Sequence, residues 1–255
     1  MKVSYAIADP TGNVTALVTS AVQVEQRSAV VSALLHGSVE QVGFVVPPQH
    51  AGAARLEMMG GEFCGNATMS LAALLCRSRG NAPVQLRLEV SGTSDLVPCM
   101  AEHVEGALYR GCVEMPLPQH MERRQLPGLD GAVPIIFFQG IAHVLLPGGQ
   151  AVPEMRLPDW CDRLGTDALG VLPFWDRPCQ IDPVVWVPAA GSLVHEHGCG
   201  SGSAALGAWF AQQAGGPVEL HVQQPGGTIV VHASKERVTI SGLVRLDAQT
   251  RSVEI

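Results

Sequence analysis

The sequence predicts an α+β protein of two similar domains, residues 1–118 and 119–255. Each is expected to be a β-sheet or barrel wrapped around a central α-helix, with the active site in the cleft between them. Three observations carry this expectation. Most of the chain falls into short apolar, often β-branched runs bounded by Gly, Pro, Asn and Asp, the pattern of strands and turns. Each half also holds one helical stretch without a charged residue, "NATMSLAALLC" at 66–76 and "SGSAALGAWFA" at 201–211. A helix with no charged face is buried on all sides. Finally, both stretches open on Cys-Gly, at Cys64-Gly65 and at Cys199-Gly200.

In chain order, the first half offers strands at "VSYAIA", "NVTALVTS", "QVGFVVP", "VQLRLEV" and "LYRGCVEM". The second half offers "PIIFFQ", "AHVLLP", "VVWVPA", "VELHVQ", "TIVVHA" and "RVTISGLV", with "QQPGGTI" as a hairpin turn between two of them. "EQRSAVVSALLHG" and "PEMRLPDWCDRLG" alternate polar and apolar faces and read as surface helices. The segment 116–134, rich in Pro, Gly and charge, reads as the linker, and the last strand is free to return to the first domain. The shared pattern C-G-x-x-[TS] at the two helix starts suggests duplication.

Composition excludes several function classes. A net charge of −7 without a basic run argues against a nucleic-acid partner, which requires clustered Lys and Arg. No apolar stretch reaches the roughly 20 residues that span a bilayer. "MKVSYAIADP" meets Asp9 and Pro10 too early for a secretory signal, so a cytoplasmic protein is expected. Seven cysteines, an odd number without close pairs, fit reduced thiols. The only lysines are Lys2 at the terminus and Lys235 in a polar turn, which argues against pyridoxal phosphate and its Schiff-base lysine.

The two helix starts support a specific chemistry. A helix N-terminus presents unpartnered N–H groups and partial positive charge, which favour a thiolate and bind a carboxylate. Gly65 and Gly200 permit close approach to the backbone, and Asn66, Ser201 and Ser203 are candidate caps or ligand donors. If the two starts face each other, a small carboxylate between them has one thiol on each side of its α-carbon. One thiolate then removes the α-proton and the opposite thiol returns a proton, inverting the centre with neither metal nor organic cofactor. Against this stand plainer readings. Free cysteines are usually packing, the reading for Cys76, Cys99, Cys112, Cys161 and Cys179. His143, on an apolar strand, reads by itself as a satisfied core histidine, and Glu40 as a solvated carboxylate. His195, His197 and Cys199 alternate in "HEHGC", so an extended strand would gather them as part of a metal site, although a fourth ligand is lacking.

The two Cys-Gly starts resemble the diaminopimelate epimerase-like superfamily of cofactor-independent racemases. Within it, "EQVGF", "GEFCGNATMS", "SGTSDLVPC", "EMP", "CGSG" and "QPGG" resemble, in order, the histidine racemases of staphylopine-type opine metallophore pathways. The resemblance implies conversion of L-histidine to D-histidine, no cofactor, a homodimer and no nucleic-acid or membrane partner. It implies Cys64 and Cys199 as the acid–base pair, and Gly65, Asn66, Gly200 and Ser201 as the loops holding the substrate carboxylate and amine. Asn13 corresponds to a substrate-contacting asparagine, and Glu40 to a glutamate that reads the imidazole. His143 and Glu196 correspond to the His and Glu that flank the thiols. The short "HEHGC" loop lacks the arginine with which diaminopimelate epimerases read a distal carboxylate, which argues against diaminopimelate. An epimerase or broad-specificity racemase on the same scaffold, or a metal-binding protein, are the alternatives.

Overall fold

The structure is a computed structural model and describes every residue except Pro178. It is a mixed α+β protein, mostly sheet, and its chain forms two compact units: Met1–Glu114 with Ser241–Ile255, and Met115–Ile240.

The first unit contains β1 (Lys2–Pro10), β2 (Thr15–Val18), α1 (Arg27–Leu34), β3 (Gln41–Val46), β4 (Arg55–Met58), α2 (Gly65–Ser78), β5 (Val84–Val90), β6 (Val97–Glu105) and β7 (Leu108–Met115). Neighbouring strands pair in sequence from β1 to β7. The pairs are antiparallel, except that β2–β3 and β4–β5 are parallel. The amphipathic "RSAVVSAL" forms α1, which buries Val30 and Leu34 against Val3, Val18, Val42 and Phe44. The helix α2, uncharged until Arg77 in its last turn, packs against β1, β2, β5 and β6, with ten of its residues buried. Its approach to β7 depends on Gly111, where a Cβ would lie 2.9 Å from the Cβ of Met69.

The second unit contains β8 (His120–Gln125), β9 (Ala132–Phe138), β10 (Ile141–Pro147), α3 (Leu157–Leu164), β11 (Ala168–Asp176), β12 (Cys179–Ile181), β13 (Val184–Val187), β14 (Ser192–His195), α4 (Gly200–Ala214), β15 (Val218–Gln224) and β16 (Gly227–Ala233). β8, β9 and β10 form an antiparallel meander, and β10 runs parallel to β11. On one face Ala142, Val144 and Leu146 pack with Leu157, Trp160 and Cys161 of α3. The second uncharged helix, α4, packs against β9, β10, β15 and β16. Here the close approach depends on a helix glycine, since a Cβ at Gly207 would lie 2.5 Å from Val231. β17 (Val238–Leu246) and β18 (Arg251–Glu254) follow, and Ser241–Ile255 belongs to the first unit, where β18 pairs with β1.

Two expectations need correction. Part of the expected linker 116–134 is the strand β8, whose polar run "HMERRQ" has no period-two pattern and buries no residue fully. Charge and proline suppress a strand signal, but a sheet neighbour supplies the missing pairing. β11, the longest strand of the second unit, was not expected either, because its buried run carries Gly170 and Pro173. The "QPGG" turn does join β15 to β16.

Candidate active site

The two cysteines head α2 and α4 in the same way. Cys64 is the N-cap of α2, and its sulfur accepts the N–H of Ala67 at 3.4 Å. Cys199 is the N-cap of α4, and its sulfur accepts the N–H of Gly202 at 3.2 Å. Both cap residues have extended backbones, so each sulfur takes one of the donors that a helix start leaves open. The expected capping roles of Asn66, Ser201 and Ser203 therefore pass to the cysteines, whose side chains sit at the position from which a cap can reach back. The hydroxyl of the C-G-x-x-[TS] pattern has another use. Thr68 donates to the carbonyl of Cys64 at 2.7 Å and Ser203 donates to that of Cys199 at 2.8 Å. The repeated pattern is thus a repeated brace on the cap.

In the first unit, a tight turn delivers Asn13. The Gly12 N–H donates to Asp9 Oδ1 at 2.7 Å, and the buried Thr11 has φ 58°, rare for a β-branched residue. Such an imposed backbone marks a functional turn often enough to note. Asn13 Nδ2 donates to Glu40 Oε2 at 2.9 Å. Gln41 is buried and sits between this asparagine and the thiol, and Cys64 donates its S–H to Gln41 Oε1 at 3.2 Å. Asn13, Glu40 and Cys64 are therefore gathered, and Glu40 is a half-buried hydrogen-bonded carboxylate rather than an ordinary solvated one. Gly65 and Asn66 follow Cys64 as buried residues of the first helical turn. The loop before Cys64 is held by "SGT": Ser91 Oγ donates to the carbonyl of Glu62 at 2.7 Å and accepts the N–H of Met58 at 2.9 Å. Gly92, with φ 78°, leaves room for that loop, since a Cβ there would lie 2.2 Å from the nitrogen of Phe63.

In the second unit, Cys199 is buried. Burial pushes its thiol well above the ordinary value, and the charge and hydrogen bond of Glu196 act in the same direction. The Ser201 hydroxyl and the Gly202 N–H pull the other way without prevailing. The resting group is a thiol with a carboxylate poised beside it. Gln224 closes a ring around the cap: its Oε1 accepts the Cys199 N–H at 2.6 Å and its Nε2 donates to Ser203 Oγ at 2.9 Å. Gly202 must be small, because a Cβ would sit 3.0 Å from the Cys199 sulfur and 2.9 Å from Leu172. Gly200 is buried beside it and Ser201 is partly exposed, with its hydroxyl 3.6 Å from the same sulfur.

His143 lies on the face of β10 opposite the α3 core, since side chains alternate along a strand. It is fully buried, yet neither ring nitrogen has a hydrogen-bond partner among the described residues, which corrects the satisfied core reading. Burial pushes its pKa down to about 3, so the ring is neutral. It lies against Gly170 of β11, where a Cβ would fall 2.2 Å from Nδ1. The metal reading of His195, His197 and Cys199 is not supported. The strand stops at His195, so the alternation that would align them fails, and His195 Nε2 lies 3.1 Å from Glu154 Oε1. Among the described residues no group of three or more His, Cys, Asp or Glu side chains is placed to hold a metal ion. Among the same residues, no helix is long and apolar enough to cross a membrane.

Sequence reasoning missed Gln41, Ser91, Gly92, Gly170 and Gln224. Gln41 and Gln224 stood inside the quoted motifs "EQVGF" and "QPGG", and that was the available signal.

A family model described as the histidine racemase CntK N-terminal domain matches residues 2–252. The chain is 29% identical over 244 residues to a histidine racemase of Staphylococcus aureus, covering 89% of this chain and 87% of that protein. It is 25% identical over 218 residues to a histidine racemase of Fusobacterium nucleatum, covering 82% and 79%. Among solved structures, a predicted epimerase from Pseudomonas aeruginosa matches with a TM-score of 0.71 at 19% identity, covering 99% and 98%. A hydroxyproline epimerase from Agrobacterium vitis, with bound trans-4-hydroxy-L-proline, matches with a TM-score of 0.67 at 11% identity, covering 99% and 92%. At these identities the two structures establish the fold.

Proposed function

The chain belongs to the histidine racemase CntK N-terminal domain family, and on that premise we propose that it interconverts L- and D-histidine with Cys64 and Cys199 as the two acid–base groups. The enzyme class, an isomerase that racemises amino acids, comes with the family. The observation that carries the mechanism is the matched pair of cysteine caps, each at the start of a helix whose first turns carry no charge.

The two thiols take opposite faces of the substrate's α-carbon, in a cleft between two epimerase-like domains. The substrate carboxylate is bound by N–H groups of the two first turns, at Gly65, Asn66, Gly200 and Ser201, where helix partial charge also stabilises the carbanion. One sulfur, as thiolate, takes the α-proton, and the electron pair is left on the α-carbon and its carboxylate. The other thiol gives its proton to the opposite face. The product leaves the two sulfurs with exchanged protonation states, and the reverse reaction restores them. Glu196 is the acceptor beside the Cys199 proton and the neutral His143 flanks the thiols, while Asn13 and Glu40 meet the amino group and the imidazole. A D-histidine product used in opine metallophore assembly, a homodimer and a cytoplasmic location complete the proposal.

Incubation of the reduced protein with L-histidine in D2O is expected to give D-histidine carrying deuterium at the α-carbon. Replacing Cys64 or Cys199 by serine abolishes this. Absence of exchange with histidine, alongside turnover of another amino acid in a chiral panel, overturns the substrate. Full activity in either serine variant overturns the mechanism.

A further inference from the structure

We propose that a hydrogen-bond relay of fixed polarity, Glu40–Asn13–Gln41, presents an acceptor to Cys64 and holds the proton on its sulfur. Gln41 is the positioning residue.

Each link has its direction decided by the one before. A carboxylate only accepts, so Glu40 Oε2 at 2.9 Å must face the amide N–H of Asn13. That turns Asn13 Oδ1 toward Gln41, where it accepts from Nε2 at 2.5 Å. A second lock acts on the same amide. The one hydroxyl proton of Thr15 goes to the carbonyl of Asn13 at 3.1 Å, so Thr15 Oγ1 can only accept from Gln41 Nε2, at 2.7 Å. Both N–H bonds of Gln41 are thereby committed, and its amide cannot turn over. The atom left for Cys64 is Oε1, an acceptor, which takes the S–H at 3.2 Å. An acceptor bonds a thiol and repels a thiolate, because its dipole points negative end toward the sulfur. Gln41, Asn13 and Thr15 are all buried, so water does not substitute for these partners.

Cys199 also rests as a thiol, so Cys64 gives up its proton against the Gln41 acceptor whenever it serves as the base. The inference rests on the reading of Cys64 as an acid–base group. Glu40, read above as the imidazole contact, also sets the relay, so side-chain recognition and thiol protonation share one carboxylate.

The test is alkylation of Cys64 by iodoacetamide at pH 7 in the full-length protein, resolved by peptide mass spectrometry. It needs no substrate, so its failure is distinguishable from failure of the histidine assignment. Gln41→Leu fills much of the same space and removes the acceptor, and the alkylation rate of Cys64 is expected to rise about five-fold, the worth of one neutral hydrogen bond. Glu40→Gln and Thr15→Val each leave one lock in place and are expected to change the rate less than about two-fold. Their double variant frees the amide to turn its N–H toward the sulfur and is expected to match Gln41→Leu. The buried Cys76 and Cys161 serve as internal reporters of an intact fold. An unchanged or slower rate in Gln41→Leu with those cysteines still protected overturns the proposal. So does a double variant whose effect is no more than the product of the two single effects.

Discussion

Replacing Gln224 by leucine tests whether the ring around Cys199 holds its helix cap. The substitution keeps an apolar side chain of similar bulk, one atom shorter, and deletes both polar functions. In the parent, Oε1 accepts the buried Cys199 N–H at 2.6 Å, and Nε2 donates to Ser203 Oγ at 2.9 Å. Leucine leaves that N–H without an acceptor in a site closed to water, which costs about 1–3 kcal/mol. Ser203 loses a donor but keeps its bond to the Cys199 carbonyl at 2.8 Å, so its share is about 0.5–1 kcal/mol. The sum, roughly 2–3 kcal/mol, corresponds to a fall in Tm of about 5–10 °C for a chain of this size. The activity loss should be larger than the stability loss implies. A cap displaced by about 1 Å costs on the order of a hundred-fold in rate. Gln224→Glu separates the two functions, since its carboxylate still accepts the Cys199 N–H. Thermal melts and racemisation rates on the three proteins decide the matter. A leucine variant that melts within about 1 °C of the parent and turns over at the parent rate would refute the reasoning.

Two further predictions concern His143. Gly170→Ala places a methyl group 2.2 Å from Nδ1, so the ring must move, at an overpacking cost of about 1–3 kcal/mol. Denaturant midpoints will detect it, and an unshifted midpoint means the ring does not sit over Gly170. The second follows from the pKa of His143, pushed down to about 3 by burial. The unfolded chain binds the proton below about pH 6.5 and the folded one does not until about pH 3. Stability contributed by the neutral ring is therefore present above pH 6.5 and declines as pH falls toward 3. His143→Leu should flatten that part of the stability–pH profile, and an identical slope in parent and variant would show the ring to be solvated.

Much of this protein is legible in one dimension. The helices α2 and α4 are named by eleven-residue runs without charge, 66–76 and 201–211, a signal that the burial of most of each run imposes. The cysteines are named because C-G-x-x-[TS] recurs at both helix starts. Capping is a local geometry, so a local pattern records it, and Thr68 and Ser203 repeat because each reaches back one turn to its own cysteine. β8 was illegible for the opposite reason. Its charged side chains carry no period, and only its pairing with β9 makes it a strand.

The sequence by itself determined which two thiols head the two helices, Cys64 and Cys199, and the family, which racemises amino acids. Tertiary structure alone decided what each thiol touches. Gln41 reaches Cys64 across 23 positions and Gln224 reaches Cys199 across 25, and Gly170 makes room for His143 from a neighbouring strand. These partners are fixed by strand register and buried hydrogen-bond geometry, which depend on residues far apart in the chain. A cysteine's proton obeys the dipoles that packing places beside it, and those are set only when the sheets close around the helices.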